Sequence, residues 1–524
     1  MRAAVYNRFL QSMGGGERHS GMLAQVLAED GHEVDLIAHD DVGKDILADH
    51  LGLKLGKVNL RIVPDEGEER LARISAEYDL FVNATYMSRL APRARHNLYL
   101  CFFPTPVDHD MGQLRRQAIR LLSRWARPPE GGFQRGAFHQ YGAGWFPPEG
   151  GRRRSYTWTS GDAWLSLAAG APTSLVFDLG RPGAAESATL TVTDEAGTRI
   201  AELEADAARF TRVRIPIGAR TSDTRLRLVS DTFVPGPGDS RSLGVAVSRL
   251  RLDGTSSSPR ERLAERFPWL LRDPRDLTWL ESYERVLANS EYTRGWIRRY
   301  WDVDADLLFP PIRVHELHPG TKRRSIISVG RFISRGQGHQ KKQLEMVQAF
   351  GALVRKGGLD GWKLHVVGGV EPANRPYFEQ VKAAAEGLPV ELHPNAPRTL
   401  VEQLFATSSV FWSATGLGED ERTAPWTFEH FGMTTVEAMA AGCVPVVIDK
   451  AGQREIVRDG QDGYRWTNLD QLEARTLELA ADEELRAKLG AAAVERAADF
   501  SDDAFADRWR EIAARLGLEG GKAS

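Results

Sequence analysis

The order of hydrophobic and polar residues divides the chain into three kinds of sequence. In the first, residues 1 to about 100, short apolar runs alternate with segments of helical periodicity. The apolar runs lie at 3–6, 34–38, 80–83 and 98–103. The segment 18–31 follows a glycine loop at 14–16 and is predicted to be a helix, because its apolar residues repeat at helical spacing. Short apolar strands separated by helices are typical of a parallel sheet with right-handed crossovers.

The middle of the chain has a different pattern. From about residue 137 to 254 helical periodicity disappears, and short alternating runs separated by Gly, Pro and Asp turns replace it. This pattern predicts an antiparallel β-sandwich inserted between two halves of an α/β unit. Trp145, Trp158 and Trp164 lie near its start. We interpret them as core residues, and stacking on sugar rings is the alternative hypothesis, which would make the sandwich a carbohydrate-binding domain.

The α/β pattern returns after the sandwich and continues to the end of the chain. Apolar runs at 285–289, 325–330, 363–367, 390–393, 410–413 and 444–448 predict buried strands. We therefore predict two doubly wound α/β domains and one inserted β domain. Their predicted bounds are 1–136 with 257–312 for the N-terminal domain and its linker, 137–256 for the sandwich, 313–500 for the C-terminal domain and 501–524 for a final helix.

Composition and charge narrow the class of protein. Hydrophobic residues make up 42% and charged residues 27% of the 524 residues, which is ordinary for a globular protein. The net charge of −3 argues against a nucleic-acid binder driven by bulk charge. Cys101 and Cys443 are far apart and provide no disulfide framework, which favours a reducing, cytoplasmic compartment. No secretory signal is visible, and no run approaches the roughly 18 apolar residues of a spanning helix.

The most informative segment for chemistry is 429–447, which has the pattern loop, helix, buried strand. The first amides of a helix carry free N–H groups and a positive dipole, so they form a phosphate site. We expect Thr434 or Thr435 to cap this helix, and Gly432 to let the backbone approach a ligand. Glu429 and Glu437 bracket the helix start and are placed to reach opposite ends of one ligand. The alternative is an ordinary loop-helix-strand unit with a surface glutamate.

Two basic residues lie earlier in the chain than the segment 429–447 and are the second candidate for ligand binding. Arg331 leaves the carboxyl end of a predicted strand, where ligands bind in open α/β sheets, and Lys341 starts the following helix. Arg331 as a fork and Lys341 as a point charge are suited to hold a diphosphate. A pair of solvated basic residues is the alternative interpretation.

Together these segments resemble the retaining GT-B glycosyltransferases of glycosyltransferase family 4, the glycosyl transferases group 1. The resemblance covers about 1–127 and 258–520. The segments that carry it are 14–17, 289–293, Gly330-Arg331, Lys341, 412–416, the pair Glu429 and Glu437, and Glu455. It implies the GT-B fold, in which two Rossmann-like domains face a cleft, with the acceptor on the N-terminal side and the nucleotide sugar on the C-terminal domain. It also implies that the final helix crosses back to the N-terminal domain.

The resemblance implies an activity as well as a fold. A hexosyl group is expected to move from a nucleotide-sugar donor, with retention and without a metal or other cofactor, to a hydroxyl of a glycan, lipid-linked or small-molecule acceptor. A sugar-nucleotide epimerase or phosphorylase on the same fold is one alternative. A non-catalytic carbohydrate-binding protein is another.

The family's roles transfer to named positions. Arg331 and Lys341 are expected to bind the donor diphosphate, with Lys342 as the competitor that the spacing to Ala349 disfavours. Glu429 is expected to face the donor sugar, and Glu437 to accept hydrogen bonds from the ribose. The remaining donor-binding residues implied by the resemblance are Gly15, Gly16, Phe431, Gly432, Met433 and Thr434.

Two positions depart from the family. Ser413 and Phe102 stand where relatives often have histidine. His109 is the candidate replacement that would touch the donor sugar, and a surface loop histidine is the equal alternative.

Two further features are interpreted as unrelated to donor chemistry. Asp302 and Asp304 match the Asp-x-Asp pattern of metal-dependent transferases. We interpret them instead as part of a solvated acidic turn near the linker. The basic amphipathic stretch 114–127 is interpreted as a helix that covers the sheet or the sandwich. Peripheral docking on the inner face of an anionic membrane is its alternative hypothesis.

Overall fold

The computed structural model describes residues 1–65, 67–104, 139–141, 144–146, 149–151, 154–167, 171–222, 224–235, 241–253, 277–334 and 339–518. Within them lie two wholly parallel sheets flanked by helices and two antiparallel sheets. Among these described residues, no helix combines the length and the apolar composition that crossing a bilayer requires.

The first parallel sheet is built mainly from the start of the chain. Its seven strands are β1 (Arg2–Tyr6), β2 (Glu33–Ala38), β3 (Val58–Ile62), β4 (Leu80–Asn83), β5 (His96–Cys101), β16 (Arg285–Ala288) and β17 (Ala305–Leu307), in the spatial order β3-β2-β1-β4-β5-β16-β17. Its helices are α1 (Gly15–Glu29), α2 (Lys44–Leu51), α3 (Glu68–Ser75) and α4 (Glu291–Trp301). Side chains of β1 and β4 are buried on both faces, as their unbroken apolar runs predict.

Helix α1 begins earlier than the sequence suggests. It starts at Gly15 rather than at residue 18, because the Glu17 carboxylate accepts the backbone N–H of Gly14 at 2.8 Å and caps the helix there. Gly15 and Gly16 therefore form the first turn of the helix and do not belong to a loop. The first-turn amides of α1 face the end of the sheet where ligands bind in this topology.

The middle of the chain forms two five-stranded antiparallel sheets. Their strands are β6 (His139–Tyr141), β7 (Glu149–Gly151), β8 (Arg154–Trp158), β9 (Asp162–Leu167), β10 (Thr173–Gly180), β11 (Ala188–Asp194), β12 (Arg199–Ala205), β13 (Thr211–Ile217), β14 (Thr224–Ser230) and β15 (Ala246–Leu252). The orders are β13-β10-β15-β8-β7 and β12-β11-β14-β9-β6. Alternate residues from both sheets, such as Leu165 and Phe177, meet in one hydrophobic core.

The three tryptophans of this region take different positions. Trp158 is buried, with 3% of its surface exposed. Trp145 donates its indole N–H to the carbonyl of Trp164 at 2.7 Å. The Arg227 guanidinium lies over the Trp164 ring, 5.8 Å from its centroid. Trp158 thus belongs to the core, and the other two rings pack within the sheets' own side chains.

The second parallel sheet contains six strands. They are β18 (Arg323–Val329), β19 (Lys363–Gly368), β20 (Val390–Pro394), β21 (Ser408–Ser413), β22 (Val444–Ile448) and β23 (Tyr464–Trp466), in the order β20-β19-β18-β21-β22-β23. The helices are α5 (Gln343–Arg355), α6 (Arg375–Ala385), α7 (Arg398–Thr407), α8 (Met433–Ala440), α9 (Gln453–Ile456), α10 (Leu469–Ala481) and α11 (Glu483–Ala497). The strand order reverses between β18 and β21, which is the switch point where such sheets bind ligands.

The last helix, α12 (Asp502–Arg515), packs on the N-terminal domain. Its apolar face, including Phe505, Trp509 and Ile512, is part of the core that also contains residues of β1 and α1. Ser501 caps the helix by accepting the N–H of Ala504 at 3.1 Å. The linker and the returning chain run together at this point, where Ile312 donates to Phe500 O at 3.0 Å.

One buried arginine joins these segments. Arg18 of α1 donates to Leu51 O at 3.1 Å, to Pro311 O at 2.5 Å and to both carboxylate oxygens of Asp502 at 3.0 and 2.8 Å. Only 8% of its side chain is exposed. A charge this deeply buried persists only when paired and hydrogen-bonded, so Arg18 fixes the linker and α12 against α1.

We expect Arg18→Ala to lower the free energy of unfolding by about 3 kcal/mol, because it leaves Asp502 and two carbonyls without their donor. Arg510→Ala is the matched control. Arg510 also joins α12 to the N-terminal domain, by an ion pair with Asp30 at 3.0 Å, but its side chain is 46% exposed. The control should lose less than about 1 kcal/mol. Urea unfolding followed by tryptophan fluorescence measures both, and equal losses would contradict the assignment.

Candidate active site

The candidate site begins where two helix N-termini face each other. A Cβ atom on Gly15, in the first turn of α1, would lie 2.5 Å from Sδ of Met433, in the first turn of α8. A side chain at residue 15 would therefore have to displace the Met433 side chain. A Cβ on Gly16 would touch the Phe102 ring at 3.4 Å. The free amides of both helices consequently open onto the same cleft, which suits an anionic ligand.

The start of α8 differs from the predicted one. Gly432, with φ of 121°, is the N-cap residue, and neither Thr434 nor Thr435 caps the helix. Only glycine readily adopts this φ. The Thr435 hydroxyl instead donates to Gln453 Oε1 at 3.0 Å and ties α8 to α9. The Phe431 ring is 3% exposed and packs on Phe309 and Phe500, so its side chain belongs to the core.

Lys341 and Glu429 form an ion pair at the switch point. Lys341 Nζ lies 2.5 Å from Glu429 Oε2, with 19% and 17% of the two side chains exposed. Burial acts to raise the pKa of the Glu429 carboxyl, but the Lys341 ammonium outweighs it and holds the pKa at about 2. Glu429 is therefore ionised at neutral pH, and it does not serve as a proton donor.

The two successive lysines diverge. Lys342 has a left-handed φ of 60° and precedes α5, which begins at Gln343 rather than at Lys341. Its ammonium pairs with Glu419 at 2.9 Å and is 6% exposed. Lys341 instead faces Glu429 and the cleft. The structure thus gives the two lysines separate carboxylate partners.

Arg331 lies directly after β18, and its backbone is held from α5. Gln343 Nε2 donates to the carbonyls of Gly330 and Arg331 at 3.0 and 3.1 Å. A Cβ on Gly330 would lie 2.7 Å from Lys341 Cγ, so glycine there allows the lysine to pass close to the strand end. The Arg331 side chain is exposed. The β18 loop therefore presents one paired cation, Lys341, and one exposed cation, Arg331, at the same edge.

Glu437 lies one turn into α8. Its Oε1 accepts a hydrogen bond from Arg398 of α7 at 2.8 Å, and Arg398 also pairs with Glu402 at 2.7 Å. The Glu437 side chain is 16% exposed. Arg398 keeps the carboxylate oriented, and Glu429 and Glu437 lie on either side of the start of α8.

Two histidines that the sequence did not identify line the site. His430 stacks on Phe103 of the N-terminal domain, with ring centroids 4.3 Å apart and planes 15° apart. His339 lies 5.2 Å from His430 and hydrogen-bonds Phe428 O at 3.2 Å. Burial lowers the pKa of both, that of His430 to about 3, so both are neutral at pH 7. In the sequence, only their closeness to Glu429 and Lys341 could have indicated a place in the site, because no sequence pattern predicts that a histidine is buried.

A glutamate bridges the two domains. The carboxylate of Glu455 in α9 accepts the backbone N–H groups of Glu291 and Tyr292, at 2.6 and 2.7 Å. These amides are at the start of α4, where Ser290 accepts from Thr293 as the N-cap residue. Glu455 thus completes the capping of an N-domain helix from the C-terminal domain. Burial raises its pKa from 4.5 to about 7, against the lowering effect of the two amides.

Other predicted residues lie apart from this cluster. Asp302 and Asp304 both pair with Arg298, at 3.5 and 3.1 Å, beside the edge strand β17. Ser413 is buried at the end of β21. His109 and the stretch 114–127 lie outside the described residues. Phe102 packs against His19, with ring centroids 5.8 Å apart.

A second cavity lies in the N-terminal domain, with a volume of about 250 Å³. It is lined at the carboxyl ends of the strands by, among others, Tyr6, Arg8, His39, Asp65, Glu68 and Tyr86. The Arg8 guanidinium pairs with Asp65 at 2.5 Å, and Tyr6 hydrogen-bonds His39 at 2.8 Å. The cavity therefore offers both charges and an aromatic wall.

Comparison with known proteins gives the following likenesses. Residues 314–496 match the family described as Glycosyl transferases group 1. The chain is 26% identical over 246 residues, 43% of its length and 46% of the other's, to a Dictyostelium discoideum protein named GDP-Man:Man(3)GlcNAc(2)-PP-Dol alpha-1,2-mannosyltransferase. It is 26% identical over 278 residues, 44% and 56% of the two lengths, to Neurospora crassa alpha-1,3/1,6-mannosyltransferase alg-2. The chain spans about half the length of these relatives.

Two solved structures share its fold. Anabaena HepE in complex with UDP and glucose superposes with a TM-score of 0.52 at 10% identity, covering 98% of this chain and all of that one. A glycosyltransferase from Rickettsia africae has a TM-score of 0.51 at 12% identity, covering 100% and 99%. At these identities the likeness establishes the α/β fold of paired parallel sheets.

We expect domain closure to depend on pH through Glu455. Its pKa is raised to about 7 in the bridged arrangement and returns toward 4.5 when the domains separate. The contribution of the contact to closure is therefore full below pH 4.5 and is lost as the pH rises to about 7. Glu455→Gln should remove this dependence, because the amide does not titrate.

The measurement is energy transfer between dyes at Ile46→Cys and Glu386→Cys, one in each domain. Both native cysteines are buried and will not take the label. Transfer should fall between about pH 5 and about pH 8 in the parent and stay level in the glutamine variant. Parallel profiles in the two proteins would show that another group controls closure.

Proposed function

We propose that this chain is a retaining glycosyltransferase that moves a hexosyl group from a nucleotide diphosphate sugar to an acceptor hydroxyl, without a metal ion. The observation that carries the proposal is the ion pair of Lys341 with Glu429 at the strand-order switch, with Arg331 directly after β18 and α8 beginning four residues after Glu429. These residues come from loops on both sides of the strand-order switch. The arrangement supplies positive charge and free amides for a diphosphate, with one ionised carboxylate beside them.

The cations act on the leaving group. As the bond between the anomeric carbon and the diphosphate breaks, negative charge grows on the phosphate oxygens. Arg331 binds them by a fork, Lys341 as a point charge and the α8 amides by their N–H groups. Glu429 holds the Lys341 ammonium at 2.5 Å, which orients it at the sheet edge where we place the diphosphate.

Glu429 acts on the sugar. Because its pKa is held at about 2, the carboxylate is ionised and stabilises the positive charge that develops at the anomeric carbon. The acceptor oxygen bonds to that carbon from the side the diphosphate leaves, which preserves the configuration. The proton of the acceptor hydroxyl passes to an oxygen of the departing phosphate, so the reaction needs no protein side chain as a base.

We place the acceptor in the N-terminal cavity that contains Arg8 and Asp65. Its carboxylates are suited to accept hydrogen bonds from sugar hydroxyls, and Phe9 and Tyr86, each 39% exposed, offer faces for a sugar ring. The cavity is at the carboxyl ends of strands of the first sheet. A glycan acceptor agrees with the name of the Dictyostelium discoideum relative, which includes Man(3)GlcNAc(2)-PP-Dol.

The relatives support a hexose donor but differ in nucleotide. One relative names GDP-Man, and the HepE structure holds UDP and glucose. We therefore leave the base to experiment. The two buried free thiols, Cys101 and Cys443, favour action in the reducing cytoplasm.

The first experiment is a thermal-shift screen with UDP, GDP, ADP and their hexose forms. One nucleotide should stabilise the chain by about 2.7 kcal/mol at a hundredfold excess over its Kd. Glu437→Ala should weaken binding roughly tenfold or more, because a charged hydrogen bond to the ribose is lost. Glu402→Ala is the control, since it removes the other partner of Arg398 and leaves Glu437 in place. No shift with any nucleotide would instead favour the carbohydrate-binding alternative.

The second experiment tests the chemistry with the donor that the screen identifies. Arg331→Ala should lower kcat by about 10²–10³, because the charge on the leaving group loses a preorganised donor. Arg375→Ala, an arginine of the same domain with 73% of its side chain exposed, should keep the parent rate. Steady-state release of nucleotide, with the anomer of the product assigned by NMR, gives both rate and stereochemistry. A product of inverted configuration would rule out the retaining mechanism.

A further inference from the structure

Two histidines and a glutamate meet on one face of the second parallel sheet, away from the residues assigned to the donor. His365 lies on β19, and Glu391 and His393 lie on the neighbouring edge strand β20. The strand register pairs His365 with Glu391 and Val367 with His393. The neighbours Leu364 and Val366 point into the core under α5 and α6, so the alternation of a strand places all three polar side chains on the opposite face.

The donor atoms are close enough to share one ion. His365 Nδ1 lies 3.2 Å from His393 Nε2 and 3.4 Å from Glu391 Oε2, and the last two atoms are 4.0 Å apart. Around a tetrahedral Zn²⁺ with bonds of about 2.0–2.1 Å, neighbouring donors are about 3.3 Å apart. Two of the three separations match this edge length. The third closes with a small rotation of the Glu391 side chain.

Hydrogen bonding alone accounts for only part of this arrangement. One proton between the two rings satisfies His365 Nδ1 and His393 Nε2, which lie 3.2 Å apart. The second contact of Nδ1, with Glu391 Oε2 at 3.4 Å, is longer than the usual N–H···O hydrogen bond. The Glu391 carboxylate is oriented from behind, because Lys363 Nζ holds its other oxygen at 2.7 Å. An outer partner of this kind is what fixes a metal-binding carboxylate.

The cluster is also accessible from solvent. The exposed fractions of the His365, Glu391 and His393 side chains are 12%, 45% and 18%. The imidazoles are thus positioned in the sheet, while the carboxylate side is open to water. An ion bound there has room for a water molecule as its fourth ligand.

We propose that His365, Glu391 and His393 bind a divalent transition-metal ion, with Zn²⁺ as the best chemical match. Two imidazoles and one carboxylate suit Zn²⁺ better than the oxygen-seeking Mg²⁺ or Ca²⁺. The ion cross-links the edge strand β20 to β19. It stabilises the C-terminal domain and takes no part in the donor chemistry, so this proposal stands or falls independently of the proposed function.

The test uses the full chain, freed of any affinity tag and stripped with EDTA. Calorimetric titration with Zn²⁺ should give one site per chain, and saturation should raise the melting temperature. Addition of Co²⁺ should give the intense visible absorption of a four-coordinate site. His393→Ala should weaken Zn²⁺ binding by more than about a hundredfold, and Lys363→Met, which removes only the outer partner, by about tenfold.

His315→Ala is the matched control. His315 pairs with Asp503 at 3.1 Å with 70% of its side chain exposed, and its removal should leave the titration unchanged. Circular dichroism of each metal-free variant separates loss of the site from loss of the fold. Saturable binding that survives both His393→Ala and His365→Ala would reveal adventitious surface binding. That result, or the absence of saturable binding by the parent chain, would overturn the proposal.

Discussion

The placement of the two parallel-sheet domains depends on one buried guanidinium. Arg18 cannot remain charged inside the protein unless every donor finds an acceptor, and its acceptors come from α2, the linker and α12. The linker and the returning chain therefore meet at the same point of α1. That helix also carries Gly15 at its start, three residues before the arginine. By joining α1 to the linker and to α12, Arg18 consequently positions the N-domain side of the cleft.

The cleft itself follows from strand order. Parallel strands present their carboxyl ends at one edge of the sheet, and the loops on each side of the reversal diverge to leave a crevice. Arg331 and Glu429 follow β18 and β21, the two strands that flank the reversal. Opposite α8, the N-terminal domain presents the backbone of Gly15, and the Met433 side chain occupies the space that a Cβ there would need, with its Sδ at 2.5 Å. The first turns of α1 and α8, with their free amides, thus lie next to each other at the crevice.

Charged side chains in the cleft form ion pairs with one another. Lys341 pairs with Glu429, and Lys342 pairs with Glu419. Arg398 pairs with both Glu437 and Glu402. This pairing limits the cost of burying charge and keeps the side chains oriented. Glu455 and the stacked rings of Phe103 and His430 add contacts between the domains themselves. The site is therefore preorganised on the C-terminal domain and completed by closure.

Periodicity by itself identified strands such as β1, β4, β18 and β22, because a strand buried on both faces requires an unbroken apolar run. It did not identify the edge strands β3, β17 and β23. It also placed Arg331 after a strand and Glu429 before a helix, and both positions follow from local sequence. Only the tertiary structure decided that Gly432 rather than a threonine caps α8, since the choice depends on a φ of 121°. It also decided that the Lys341 and Lys342 side chains pair with different carboxylates, because Lys342 has a left-handed backbone conformation.

Tertiary structure alone brought Glu455 to the start of α4 and joined His365 to Glu391 and His393. Local sequence fixes the backbone preference and the burial of each segment. These contacts depend instead on strand register and on how the two domains meet, and residues far apart in the chain determine both.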